Sequence, residues 1–103
     1  MNSTTYRRYM NHIKEETDGA MDYAEKSVLF KQSRPQFSAW YSEMAMDELK
    51  HAEYLKNIGQ AMMDEDQHAE KYIKAWSKVV ADLASKTATV NAMLARKAGM
   101  TNV

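Results

Sequence analysis

Apolar residues recur at intervals of three and four along nearly the whole chain. This spacing matches the 3.6-residue period of an α-helix, in which every third or fourth side chain lies on one face. The pattern is interrupted only near the single proline and again around Asp64. The sequence therefore predicts three helices, at about residues 5–31, 35–62 and 65–98, within one domain that covers residues 1–103.

The predicted ends of these helices follow from a few residues that typically begin or end a helix. Proline is tolerated in the first turn of a helix, so Pro35 is predicted to open the second helix. Asp64 followed by Gln67 has the spacing of a capping box and predicts a tight turn into a third helix. Gly99 follows the last periodic residue and is predicted to stop that helix. Connections this short make consecutive helices antiparallel neighbours, which predicts an all-α fold: a helical hairpin plus a third long helix.

The composition excludes several classes of function. Fourteen basic residues balance fourteen acidic ones, so no net charge favours nucleic acid or an anionic membrane as a partner. The absence of cysteine excludes disulfides, thiolate metal sites and thiol catalysis. The apolar runs are too short for a secretory signal or a membrane span. We therefore expect an intracellular protein, in the cytoplasm or within a compartment or virion.

The apolar stripes of the predicted helices are wider than a small bundle needs. The second stripe includes Trp40 and the third includes Trp76, and several tyrosines lie beside them. A chain of this size buries little core by itself. The pattern favours association of copies, with a four-helix bundle completed by dimerisation.

Three polar residues interrupt the apolar stripes. Glu16 lies on the stripe of the first helix, between Ile13 and Ala20, and Glu48 and His51 lie on the stripe of the second. An ionised carboxylate in an apolar seam costs several kcal/mol unless it has partners. These residues therefore need a common explanation.

The positions of these residues along the helices agree. Measured from the middle of the first connection, Glu16 and Glu48 each lie roughly 24 Å away at a rise of about 1.5 Å per residue, hence side by side. His51 lies one turn beyond Glu48 on the same face, so both can reach one ion. A glutamate that faces a Glu-x-x-His pair is half of a carboxylate two-metal site.

The chain does not supply the other half of that site at the right level. A second Glu-x-x-His, formed by Glu65 and His68, is placed by the sequence at the second turn and is interpreted as a solvated first turn of a helix. Two copies of the chain would supply four glutamates and two histidines around two ions on a two-fold axis.

Other residues near Glu16 have open interpretations. Glu15 is assigned a supporting or metal-entry role. Tyr23, on the same face, would hydrogen-bond to a ligand carboxylate or donate an electron, and an ordinary core tyrosine is an equal alternative. His12 is interpreted as an ordinary, partly buried histidine. Gly19 either permits close approach of the helices near the metal or is simply tolerated.

Two motifs carry a resemblance to a known family: EETDGAMDYA at residues 15–24 and DELKHA at residues 47–52. They resemble the ferritin-like and rubrerythrin-like superfamily, most closely its short bacterial and tailed-phage members, and are similar to the two-helix encapsulated ferritins. The motifs cover roughly residues 9–62. The third helix resembles the short phage-type proteins in general character only.

Encapsulated ferritins build a di-iron site at a subunit interface, oxidise Fe(II) and assemble into rings. The resemblance implies Glu16, Glu48 and His51 as metal ligands, Glu15 as an auxiliary carboxylate and Tyr23 as the neighbouring catalytic tyrosine. It also implies two iron ions per dimer, with manganese or zinc as other metals that such ligands admit. The implied partners are further copies of the chain, in a dimer or ring, and an encapsulating shell or virion proteins.

Three functional interpretations remain open at this point. The first is a di-iron protein that oxidises Fe(II) with oxygen or peroxide. The second is a helical assembly or interaction module, such as a phage virion component, in which the same residues form a buried hydrogen-bonded cluster or hold a structural ion. The third is a plain bundle with polar residues placed by chance.

Overall fold

The computed structural model describes residues 3–99 and is helical throughout its regular structure. Helix α1 is Ser3–Leu29, helix α2 is Pro35–Glu65 and helix α3 is Ile73–Gly99, with a one-turn 3-10 helix, Ala69–Lys71, before α3. No strand occurs within residues 3–99. The prediction of an all-α fold is confirmed. No helix in this range combines the length and apolar character that crossing a membrane would require.

Helices α1 and α2 run in opposite directions and pack through small side chains. Near the first turn, the Ser27 hydroxyl donates to the Ser38 carbonyl oxygen at 2.8 Å, and the Ser38 hydroxyl donates to the Ser27 carbonyl oxygen at 2.6 Å. Four alanines of the two helices are completely buried: Ala20, Ala24, Ala45 and Ala52. Side chains this small allow the two backbones to approach closely. Carboxylates at one level of α1 and α2 can therefore meet.

The second turn differs from the sequence-based prediction. Pro35 opens α2 as predicted, but α2 continues to Glu65, and α3 begins only at Ile73. The predicted capping box at Asp64 and Gln67 therefore does not open a helix at residue 65, and this prediction is wrong.

The physical reason lies at Asp66, which ends α2 in an extended conformation with φ −92° and ψ 118°. Its side chain accepts the backbone N–H of His68 at 2.8 Å, a contact that stabilises a turn. It also accepts the Tyr6 hydroxyl at 3.0 Å, which ties the turn to α1. The Asp66 carboxylate thus closes the turn two residues after Asp64, the residue at which the sequence pattern places it.

Helix α3 packs chiefly against α1. Its buried residues Trp76, Leu83 and Val90 recur every seven positions and form one narrow stripe. The Trp76 indole lies against Gly59 of α2, where there is no room for a Cβ atom, and its Nε1 donates to the Gln60 side-chain oxygen at 2.7 Å. Because α3 occupies one side of the hairpin, the opposite side stays uncovered.

The uncovered side is rich in apolar residues of α2. One part of the predicted apolar stripe packs against α1, including Ala45 and Ala52. The other part remains 37–53% exposed, and we call it the open stripe: Phe37, Trp40, Met44, Ile58 and Met62. Glu48 and His51 lie in the middle of the open stripe at helical spacing.

Candidate metal centre

The structure brings Glu16, Glu48 and His51 together at the edge of the α1–α2 seam. Each residue offers one ligand atom, and these atoms all lie within 4.8 Å of one another. Glu16 comes from α1, and the other two residues come from successive turns of α2. The antiparallel helices therefore produce the meeting that their equal distances from the turn predict.

The group is enclosed on one side and open on the other. The Glu16 side chain is 16% exposed, whereas that of His51 is 54% exposed, and His51 Nδ1 lies 3.7 Å from Glu16 Oε2. An ion could therefore approach from solvent on the His51 side and meet a carboxylate that is already partly desolvated.

Gly19 provides the space that the Glu48 carboxylate occupies. A Cβ atom built on Gly19 would lie 3.2 Å from Glu48 Oε2, closer than ordinary van der Waals contact. Glycine within a helix costs about 1 kcal/mol relative to alanine. Its position here agrees with a role in helix approach at the candidate site, one of the two interpretations of the sequence.

The two carboxylates share a hydrogen bond, and their acid strengths diverge as a result. This hydrogen bond, followed by burial and the negative charge of Glu16, raises the pKa of Glu48 to about 7. The hydrogen bond from Glu48, supported by the imidazoles of His51 and His12, lowers the pKa of Glu16. The pair therefore holds one proton near neutral pH, and a bound cation would displace that proton.

His12, one turn before Glu16 on α1, also contacts the group. Its Nε2 atom lies 3.2 Å from Glu16 Oε1, and its side chain is 53% exposed. The prediction that His12 is partly buried is wrong, because the residue is exposed. The four-residue spacing from Glu16 places both side chains on one face of α1 but does not specify their contact.

The structure does not bring Glu15 or Tyr23 into the group. Glu15 is exposed, because consecutive residues of a helix point about 100° apart and Glu16 occupies the seam. Tyr23 is partly buried, and its ring stacks on that of Tyr41 with 6.0 Å between centroids. This packing agrees with the alternative in which Tyr23 is a core tyrosine.

The second Glu-x-x-His motif lies in different surroundings. Glu65 is the last residue of α2, and His68 follows in the turn, with both residues exposed. In the part of the chain that the structure describes, Glu16, Glu48 and His51 form the only group of three or more such residues close enough to hold a metal ion.

The donor set fits a divalent transition-metal ion. Carboxylate and imidazole ligands suit iron, manganese and zinc. Three donors leave at least one coordination position unfilled by this group. Further ligands would have to come from elsewhere in the chain, from solvent or from another copy.

Comparison with known proteins gives no match to any family model, curated protein or solved structure. The function proposed below therefore depends on the fold and the geometry of the candidate site.

Proposed function

We propose that the chain is a ferritin-like, two-metal carboxylate protein that binds iron between two copies of itself and oxidises Fe(II) with oxygen or peroxide. The observation that carries this proposal is the meeting of Glu16, Glu48 and His51 within 4.8 Å. All three side chains lie on regular helices, whose backbones restrict their directions. The same donors admit manganese or zinc, so the metal is identified by experiment.

The carboxylates have defined roles in this proposal. Glu16 and Glu48 would hold the iron and offset its positive charge as Fe(II) becomes Fe(III), and His51 would add a nitrogen donor. With oxygen as the oxidant, two substrate Fe(II) ions would each give up one electron, and O₂ would take both electrons with two protons and leave as hydrogen peroxide. The pKa of Glu48, about 7 in the metal-free protein, indicates that its proton is readily displaced near neutral pH.

A second copy of the chain would supply the missing ligands. A complete two-metal site of this type takes a glutamate from each of two helices and a Glu-x-x-His from each of two others. One chain provides half of this set. The open stripe surrounds that half with exposed apolar side chains, including Trp40 at 53% and Met44 at 40%. Contiguous exposed apolar surface of this kind marks interaction sites.

The sequence pattern of α2 supports an antiparallel pairing of this helix with its copy. About an axis midway between residues 49 and 50, Glu48 lies opposite the partner's His51, and Met44 lies opposite the partner's Leu55. In the same register, Phe37 lies opposite the partner's Met62. The apolar residues thus face one another on both sides of the metal ligands. A self-complementary surface is what a two-fold interface requires.

A second candidate function is a helical assembly or interaction module, such as a virion component, without turnover. The observation that favours it is the hydrogen bonding within the group, in which Glu16 contacts both Glu48 and His12. Within residues 3–99, no buried side-chain nitrogen or oxygen lacks a partner. A hydrogen bond between Glu16 of α1 and Glu48 of α2 would hold the two helices together without any ion, or the group would hold a structural one.

Oxidation of Fe(II) tests the proposed function. Fe(II) added to the purified chain in air should produce ferric absorbance in the near ultraviolet at least about tenfold faster than buffer alone, because the ligands stabilise the ferric product. Glu48→Ala should reduce the rate to background. Glu65→Ala, in the other Glu-x-x-His motif, should keep the wild-type rate. Equal, slow oxidation by the wild type and Glu48→Ala would exclude the enzyme and leave the module.

A further inference from the structure

Two imidazoles lie near the Glu16 carboxylate, one at each of its oxygens. His12 Nε2 lies 3.2 Å from Glu16 Oε1, and His51 Nδ1 lies 3.7 Å from Glu16 Oε2. His12 belongs to α1, one turn before Glu16, whereas His51 belongs to α2. The Glu48 carboxylate contacts the same Glu16 side chain. His12 therefore lies beside the group through Glu16, but outside the three residues whose ligand atoms all lie within 4.8 Å of one another.

The two distances to Glu16 are close to the separation of two donors on one ion, and a four-ligand site also requires the His12 ring to turn toward Glu48 and His51. Ligand atoms bound tetrahedrally at about 2.0–2.1 Å from a Zn²⁺ ion lie about 3.4 Å from one another. The contacts of His12 and His51 with Glu16 lie on either side of this value. The His12 side chain is 53% exposed, so its ring has space to turn toward an ion between the carboxylates.

Stability alone gives little reason for the contact between His12 and Glu16. An exposed pair four residues apart on a helix contributes only weakly to folding, and salt screens it further. A metal-ligand role explains this contact better than a stabilising role does, because the His12 nitrogen already lies beside a carboxylate that is proposed to bind the ion.

We propose that His12 is a fourth metal ligand, which together with Glu16, Glu48 and His51 lets a single chain hold one divalent transition-metal ion before a second copy binds. This inference rests on the proposed function, because three of the four ligands belong to the proposed two-metal site. Two imidazole nitrogens and two carboxylate oxygens complete the coordination of a four-coordinate ion. The isolated chain then has a mononuclear site, and the dimer has the two-metal site.

Titration with Co²⁺ tests the mononuclear site, since the visible spectrum of this ion reports its coordination, and competition with Zn²⁺ gives the affinity. The full chain carries Met44→Lys to keep it monomeric, because lysine places a charge at the proposed interface without adding a carboxylate ligand. Adding His12→Ala should weaken binding by about tenfold or more and change the Co²⁺ spectrum, since a nitrogen donor is replaced by water. His68→Ala, at an exposed histidine of the second turn, should change neither. Circular dichroism checks that each variant remains helical.

The outcomes separate this inference from the proposed function. Co²⁺ binding that is lost in Glu48→Ala but identical in His12→Ala and its parent would overturn the role of His12 and leave the three-residue group intact. Unchanged binding in Glu48→Ala as well would overturn both. A spectrum and affinity altered by His12→Ala, with His68→Ala unchanged, supports the four-ligand site.

Discussion

The two Glu-x-x-His motifs of this chain have the same spacing and different surroundings. Glu48 and His51 lie in the middle of α2, on one face of a continuous helix and opposite Glu16. Glu65 is the last residue of α2, and His68 lies in the turn that follows. The helical geometry that would align Glu65 with His68 ends between them.

Comparing the two motifs shows that Glu-x-x-His spacing indicates a metal site only when two structural conditions are met. The helix must continue through both residues, because only then do they share a face. A neighbouring helix must also supply a donor at the same level, as α1 does with Glu16. The first motif has apolar neighbours in Met44 and Leu55, whereas the second lies among the acidic residues 64–66.

The largest expected effect comes from giving the first motif polar surroundings like those of the second. Met44→Asp places a charge in the open stripe, one turn from Glu48. Burying that charge at a two-fold interface costs about 3 kcal/mol, which corresponds to about a 100-fold weaker dimer. Sedimentation velocity in the presence of Zn²⁺ should show a wild-type dimer and a Met44→Asp monomer.

Met46→Asp is the matched control for this substitution. Met46 is 47% exposed, but it lies on the opposite side of α2 from the open stripe. This variant should remain dimeric. A wild-type chain that is monomeric with and without Zn²⁺, or a Met44→Asp variant that still pairs, would contradict the proposed interface.

An intermediate effect is expected from replacing Gly19, which leaves space for the Glu48 carboxylate of the first motif. Gly19→Ala would bring a Cβ atom to 3.2 Å from Glu48 Oε2, so the carboxylate must shift by a few tenths of an ångström. Displacing a ligand in this way should weaken Zn²⁺ binding by about tenfold. The metal-free helix should gain up to about 1 kcal/mol, because alanine favours helix.

Calorimetric titration and thermal unfolding measure these two effects separately. Gly99→Ala is the control, since a Cβ atom at that position has no neighbour within 4 Å. If Gly19→Ala binds Zn²⁺ as well as the wild type does, the space above Gly19 has no importance for the metal.

The smallest expected effect concerns the proton that Glu48 holds in the metal-free protein. Its pKa is raised to about 7 from an ordinary value of 4.5, so the folded state binds this proton more tightly than the unfolded state does. The associated stability is present below about pH 4.5 and is lost as the pH rises through 7. The lowered pKa of Glu16 offsets part of this loss.

Glu48→Gln keeps a donor to Glu16 and removes the titration. At pH 8 the metal-free variant should be more stable than the wild type by on the order of 1 kcal/mol, or about 5 °C in Tm, and at pH 4 the difference should vanish. Glu65→Gln, at the exposed motif, should leave Tm unchanged at both pH values. A Glu48→Gln benefit that is equal at both pH values would rule out the shared proton as its cause.

Much of the hairpin followed from local signals in the sequence. Pro35 can open a helix but cannot continue one, and α2 begins there. Equal distances of Glu16 and Glu48 from the turn were enough to predict that they meet, because an antiparallel pair of straight helices has few other registers. The pattern of α2 also showed more apolar surface than one neighbour could cover.

Other features required the three-dimensional structure. The sequence could not show which part of the α2 stripe would face α1, because small residues such as Ala45 and Ser38 occupy the contact and larger ones remain exposed. The turn depends on Asp66 meeting Tyr6, sixty residues away in the chain. The contact of His12 with Glu16 depends on a side-chain conformation that periodicity does not specify.

The two tryptophans differ in exposure, so their fluorescence can report separately on the docking of α3 and the covering of α2. Trp76 is 3% exposed against Gly59, whereas Trp40 is 53% exposed on the open stripe. Indole fluorescence responds to the polarity around the ring, so emission from Trp76 follows the docking of α3, and emission from Trp40 follows the covering of α2. Replacing either tryptophan with phenylalanine leaves one tryptophan, whose emission reports the other event alone.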